Sequence, residues 1–261
     1  MTSHRTVLAT SALALLACCA PRHEDTAREP ESQMTQRPTI LIAMTSHDRK
    51  GDTGEPTGAY LPEIAEPYEV FVEAGYDVEF ASVRGGRVPL DGVDRSVPAV
   101  ARFLDDERLV ARLHASIASR DVDPSRYAAI FFAGGHGAMW DLPEDPSFQR
   151  ATASIYERGG AVAAVCHGPA ALVNVRLADG RALVAGRTIS AFTDDEERAV
   201  QLDRVVPFLL ESTLRERGAS IVTAPLWQPR VAVDERLVTG QNPASAAPVA
   251  RALVELLATR R

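Results

Sequence analysis

Cysteine is scarce in this 261-residue chain. There are three, and Cys18 and Cys19 fall in a short N-terminal leader, which leaves Cys166 alone in the remainder. A disulfide framework is therefore excluded there. No histidine follows His167, the others being His4, His23, His47, His114 and His136. That excludes class I amidotransferase chemistry, which takes its imidazole from far downstream of the cysteine, and leaves His167 or His136 as partner for Cys166. The Cys and His positions also lack the spacing of a zinc site, so no metal is expected. No run of Lys and Arg forms a basic stripe, and the formal charge is -7, so nucleic acid is not an expected partner. Neither the dinucleotide fingerprint nor the Walker A pattern occurs, so no phosphate-bearing cofactor is expected.

What remains is an ordinary globular composition, 46% hydrophobic and 24% charged, of a length suited to one large domain with a sizeable core. The exception is the leader. Arg5 precedes a short apolar run from Val7 to Ala17, too short to span a bilayer, and the pattern reads as an export signal. Leu15-Leu-Ala-Cys18 resembles the lipobox of bacterial lipoproteins, in which the cysteine carries the lipid. The expected organisation is a signal peptide over 1–17, a flexible tether over 18–37, polar and Pro-containing, and a folded domain over 38–261. The domain is then expected in the cell envelope, periplasmic or extracellular, touching the membrane only through a lipid on Cys18; a misread start would make it cytoplasmic. A lone thiol in an oxidising compartment risks oxidation and calls for a reason.

Strand and helix patterns alternate along the domain. Thr39–Met44, Tyr127–Ala133 and Ala161–Val165 are continuous apolar runs of the kind buried on both faces of a sheet, and Tyr76–Ser82 alternates. Helical spacing is read over 62–74, 97–104, 107–119, 146–157, 199–217 and 244–259, with a strand at 220–223 and a hairpin through 231–234 and 237–239. Such alternation predicts an α/β fold with a mostly parallel sheet covered on both faces and functional groups at the carboxyl ends of its strands.

Cys166 stands at one such end, in Ala164-Val-Cys-His-Gly-Pro-Ala170. A buried strand, one residue that exposes its side chain and a helix starting almost at once make a nucleophile elbow. Small neighbours such as Gly168 relieve the crowding, Pro169 suits a first helical turn, and the helix N-terminus is expected to favour the thiolate. Gly134-Gly-His-Gly137 ends the neighbouring strand, so backbone N–H groups near Gly135, with that of His167, are candidate oxyanion donors. His136 is a candidate imidazole in the same loop, and Trp140 and Trp227 are candidates to line the pocket.

These phrases, with Thr57-Gly-Ala-Tyr-Leu-Pro-Glu-Ile-Ala-Glu-Pro-Tyr68, Ala74-Gly-Tyr-Asp-Val78, Ala191-Phe-Thr193 and Val238-Thr-Gly-Gln-Asn-Pro-Ala-Ser245, resemble the DJ-1/PfpI superfamily, and more closely its Hsp31-like branch. The resemblance covers roughly residues 38–258. It implies a flavodoxin-like three-layer sandwich and the activity of a glutathione-independent glyoxalase, which converts methylglyoxal or a similar 2-oxoaldehyde to D-lactate or the matching hydroxy acid without cofactor. It places the nucleophile and its histidine on Cys166 and His167, and the acidic residue near the sulfur on Glu63, with Glu66 close by. The acid that orients the histidine falls on Glu197, with Asp194 and Asp195 as rivals. Thr193 and Glu196 also spell a helix-capping signal. Relatives are also described as stress-related holdase chaperones, deglycases or peptidases, and many are homodimers, so a second copy of this chain is a candidate partner.

Overall fold

Short runs of small and β-branched residues build the central sheet. Its strands are β1 (Thr39–Met44), β2 (Asp77–Ser82), β3 (Ile117–Ala118), β4 (Tyr127–Phe132), β5 (Ala161–Val165), β6 (Val231–Asp234) and β7 (Leu237–Gly240), in the order β6-β7-β5-β4-β1-β2-β3. Every neighbouring pair is parallel except the β6–β7 hairpin. The computed structural model describes residues 37–259 together with 1–4, 6, 8 and 9. The chain divides into two units, Met1–Gln36 and Arg37–Arg261. Cys18, Cys19, most of the expected signal segment and the tether as far as Gln36 lie outside the described residues.

The helices of more than one turn are α1 (Pro62–Glu73), α2 (Pro98–Asp105), α3 (Glu107–Leu113), α4 (Pro146–Glu157), α5 (Asp194–Ala199), α6 (Leu210–Glu216) and α7 (Ala246–Ala258), and a single helical turn, Ala138–Asp141, follows β4. Successive strand residues point to opposite faces, and the core divides accordingly. Ile40, Ile42, Phe131 and Val165 pack with apolar residues of α1, α2, α3 and α7. Leu41, Ile130, Phe132 and Val162 pack with α4, α6 and the segment after Cys166. Full burial of each such side chain contributes about 1.5–3 kcal/mol, which is why β1, β4 and β5 read as unbroken apolar runs. The result is the expected three-layer sandwich. The chain leaves β1 toward β2 and later returns past it to β4, so the carboxyl ends of β1, β4 and β5 open on the crevice where α/β sheets bind ligands.

Three expected helices differ. After Cys166 there is only a 3-10 helix, Gly168–Leu172, with Pro169 in its first turn and Gly168 tight against β4. The expected 107–119 helix stops at Leu113. Ser116 then bonds Ser82 and the Gly86 carbonyl, drawing Ile117–Ala118 into the sheet as β3. The expected 199–217 helix exists only as α6. Gln201 adopts a left-handed φ of 61° and Pro207 cannot donate, so the chain between α5 and α6 runs as turns. Ser220–Ile221 pairs with Thr188–Ile189 in a separate parallel pair, outside the main sheet.

Candidate active site

Cys166 leaves β5 with a φ of 60°, the left-handed region that side-chain-bearing residues seldom adopt. It is braced on both sides: its N–H donates to the Gly240 carbonyl and its carbonyl accepts from the Phe192 N–H, each at 2.9 Å. Two glycines are there for close approach. A Cβ on Gly168 would stand 2.3 Å from the Phe132 carbonyl oxygen, and one on Gly134 would stand 2.5 Å from Glu63 Oε2 and 2.8 Å from His167 N. The ends of β4 and β5 and the first turn of α1 therefore converge where Cβ atoms do not fit, and the elbow read from the sequence is present.

Glu63, on the first turn of α1, is fully buried. Its Oε2 accepts from the Gly134 N–H at 2.9 Å, while Oε1 is buried without a well-formed hydrogen bond. Burial pushes its pKa up to about 8, against the opposing pull of the Cys166 thiol and the Gly134 N–H, and the Glu66 charge adds to the rise. Glu63 is thus an acid, not a carboxylate, at neutral pH. Glu66 is turned to other work and accepts from the backbone of Ala247 on α7.

The expected thiolate is not the resting form. Burial, then the charge and hydrogen bond of Glu63, hold the Cys166 thiol well above its ordinary pKa, and the backbone N–H groups of His167 and Gly135 only partly offset them. The short 3-10 turn that replaces the expected helix supplies little dipole, so the environment of the sulfur is decided by burial.

His167 Nδ1 lies 3.3 Å from Cys166 Sγ, and His167 Nε2 lies 2.9 Å from Glu197 Oε2. Burial, together with His136, lowers the His167 pKa to about 4, so the ring is neutral. Burial would raise Glu197, but hydrogen bonds from His136 and His167 outweigh it and hold the pKa at about 2. A carboxylate only accepts, so Glu197 fixes the proton of His167 on Nε2 and leaves the Nδ1 lone pair facing the thiol. The other oxygen, Oε1, accepts from His136 Nε2 at 3.0 Å, and the two imidazoles lie 4.2 Å apart. His136, His167 and Glu197 bring potential metal-ligand atoms within 4.8 Å of one another, and the same atoms are engaged in these hydrogen bonds. The rival acids are engaged elsewhere, Asp194 with Ser212 and Asp195 with Arg198. The capping box of Thr193 and Glu196 forms as well, so α5 has both a capped start and, one residue on, the carboxylate that meets His167.

Above the sulfur is a cavity of about 410 Å³, whose lining includes Tyr60, Glu63, Gly135, His136, Phe192 and Trp227. Trp140, expected in the pocket, is not among the lining residues. It stacks on His47 with ring centroids 5.0 Å apart and planes within 6°.

Residues 57–256 match the family model described as the DJ-1/PfpI family. The chain belongs to the DJ-1/PfpI family. Glyoxalase 3 of Candida albicans is 31% identical over 231 residues, covering 82% of this chain and 96% of that relative. The glutathione-independent glyoxalase HSP31 of Saccharomyces cerevisiae is 31% identical over 224 residues, covering 79% and 92%. The crystal structure of glyoxalase III from Candida albicans superposes with a TM-score of 0.79 at 28% identity, covering 85% of this chain and 98% of that one.

Within this DJ-1/PfpI site, sequence reasoning missed several wall residues. Tyr60 is close enough that Glu63 and Cys166, after burial, raise the pKa of its phenol. Lys50, Glu55 and Asp91 also line the cavity, as do Val200, Leu202 and Pro243. Tyr60 and Phe192 sat inside the phrases that carried the resemblance. Lys50 comes from a loop and Asp91 from the two-residue strand Leu90–Asp91, which pairs with Ala59–Tyr60, and no local sequence pattern marks either.

Proposed function

We propose that this chain is a glutathione-independent glyoxalase that converts a 2-oxoaldehyde such as methylglyoxal to its 2-hydroxy acid. The observation that carries the reading is Cys166 Sγ placed 3.3 Å from an acceptor nitrogen of His167 and beside a buried Glu63 that is neutral at pH 7. The cavity of about 410 Å³ over Cys166, a residue only 4% exposed, suits a small aldehyde better than a peptide.

Sγ adds to the aldehyde carbon as the thiol proton passes to His167 Nδ1 and on to the aldehyde oxygen, giving a hemithioacetal. The N–H groups of Gly135 and His167 stabilise charge on that oxygen as it develops. The hydrogen on the same carbon then leaves as a proton, and a proton is delivered to the neighbouring carbonyl carbon through an ene-diol. The neutral imidazole of His167 takes the first proton and the protonated Glu63 supplies the second, and the proton on His167 returns to Glu63 before the next turnover. The aldehyde carbon ends as a thioester and the ketone carbon as an alcohol, so oxidation and reduction balance within the substrate. Water cleaves the C–S bond and regenerates the thiol. Glu197 stays ionised throughout and stabilises the transient imidazolium.

The test is lactate formation from methylglyoxal without glutathione by the wild type, Cys166→Ser and Glu63→Gln. Turnover only by the wild type is expected; none by the wild type refutes the glyoxalase reading, and undiminished turnover by Cys166→Ser refutes the mechanism. The leader supports a location in the cell envelope through a lipid on Cys18. Membrane partition of the full chain should be lost in Cys18→Ala, and retention would rule that anchor out.

A further inference from the structure

The cavity at Cys166 is larger than a three-carbon aldehyde needs, since about 410 Å³ falls within the range of pockets that enclose drug-sized ligands. Its lining divides by chemistry and by origin. Lys50, Glu55, Tyr60 and Asp91, all from the N-terminal half of the chain, are polar or part-polar, whereas Phe192, Val200, Leu202, Trp227 and Pro243 form an apolar wall from the last third. Within that wall Phe192 lies 4.3 Å from the His167 ring and 6.0 Å from Trp227, so aromatic surface runs from the catalytic imidazole outward. Trp227 itself is 45% exposed, a large apolar area left open to water where a ligand can cover it.

Trp227 is also held in place at some expense. Its φ of 65° is unusual for a bulky residue. Its N–H donates to Glu196 Oε1 at 3.0 Å, and that oxygen also accepts from Gln241 Nε2 and Asn242 Nδ2. Gln241 and Asn242 in turn bond backbone of Ala224 and Gln228 on either side of the tryptophan. Glu196 is fully buried and takes two further hydrogen bonds from Thr193. A strained backbone that its surroundings hold so thoroughly belongs to a side chain whose position matters.

We infer that Trp227 is a specificity-determining residue that receives the substituent on the ketone carbon, and that the site prefers 2-oxoaldehydes bearing an aromatic or branched apolar group over methylglyoxal. This rests on the glyoxalase reading and names the substrate class within it. Stacking on Trp227 and Phe192 adds contact to such a substituent that a methyl group does not reach.

The measurement is kcat/KM for phenylglyoxal and methylglyoxal, without glutathione, for the wild type, Trp227→Ala and Trp227→Phe. The wild type favours phenylglyoxal. In Trp227→Ala the phenylglyoxal value falls roughly tenfold or more, mainly through KM, and by a larger factor than the methylglyoxal value. Trp227→Phe retains most of the preference, which a merely structural role would not require. Equal losses for both aldehydes in Trp227→Ala, or a wild type that prefers methylglyoxal, overturn the inference while leaving the glyoxalase reading standing. A wild type that turns over neither aldehyde refutes both.

Discussion

Replacing Glu63 by glutamine should make the protein more stable as it makes it inactive. In an unfolded chain the Glu63 carboxyl ionises at its ordinary pKa near 4.5, whereas in the folded chain burial delays ionisation to about 8. The sign follows from proton counting: between those two values the folded state holds a proton that the unfolded state has lost, so stability falls as pH rises. Each pH unit in that window weakens folding by about 1.4 kcal/mol. The penalty is under about 1 kcal/mol at pH 5, on the order of 3 kcal/mol at pH 7 and about 5 kcal/mol above pH 8. Glutamine has nearly the same shape and its amide oxygen can still accept from the Gly134 N–H, but it has no charge to suppress. Glu63→Gln should therefore raise Tm at pH 7 by roughly 6–12 °C, since about 1 kcal/mol moves Tm by 2–4 °C in a chain of this size. The assay is thermal or urea unfolding of both proteins at pH 5, 7 and 8.5. A gap that does not widen with pH, or a variant less stable than the wild type at pH 8.5, would refute the assignment of a neutral buried Glu63.

Glu63→Gln should also shift the pH dependence of Cys166 alkylation by iodoacetamide to lower pH, because both the charge and the hydrogen bond of Glu63 raise the thiol; an unmoved profile would break the link between the two groups. Glu197→Gln should cut kcat by roughly 10²–10⁴ with KM within a few-fold, as loss of the carboxylate frees His167 to take the wrong tautomer, and a kcat within threefold of wild type would show that another group orients the ring. At acid pH the signs reverse relative to Glu63. His167, lowered to about 4, adds no penalty above its ordinary value near 6.5 and a growing one as pH falls from 6.5 to 4, and Glu197, lowered to about 2, gives up its stabilisation as pH falls from 4.5 to 2. Urea titrations between pH 4 and 6.5 should show a shallower loss of stability in His167→Asn than in the wild type, and parallel slopes would count against a neutral buried imidazole.

The parts of the molecule that were legible in the sequence are those set by local pattern. Ala161–Val165 had to be a buried strand, and a strand running straight into Cys-His-Gly-Pro had to turn sharply, so the elbow could be read before its φ was known. The direction of the thiol's pKa could not, because it depends on how deeply Glu63 and Cys166 are buried together, a property of three converging elements distant in sequence. The same holds for the choice among Asp194, Asp195 and Glu197. All three lie on one helical turn, and only the position of His167 relative to that turn selects Glu197. Trp140 and Trp227 were indistinguishable as aromatic residues near site motifs; the stacking partner His47 claims the first, and the 224–228 loop presents the second. The helix expected through residues 200–209 failed for a local reason that was visible, Pro207, but was outweighed by the apolar spacing around it.

Glu196 and Glu197 are neighbours on one turn, yet they answer to different selective demands: one sets the protonation pattern of the imidazoles, the other the posture of the tryptophan that meets the substrate. A backbone displacement of that turn transmits to both. Diversification of substrate range is therefore expected to proceed by exchanges within residues 224–228, which can vary while the turn stays still. Changes made in the turn itself should be strongly epistatic, with effects on rate and on selectivity that do not add in double-mutant cycles. The architecture leaves one adjustable region and one frozen one, side by side.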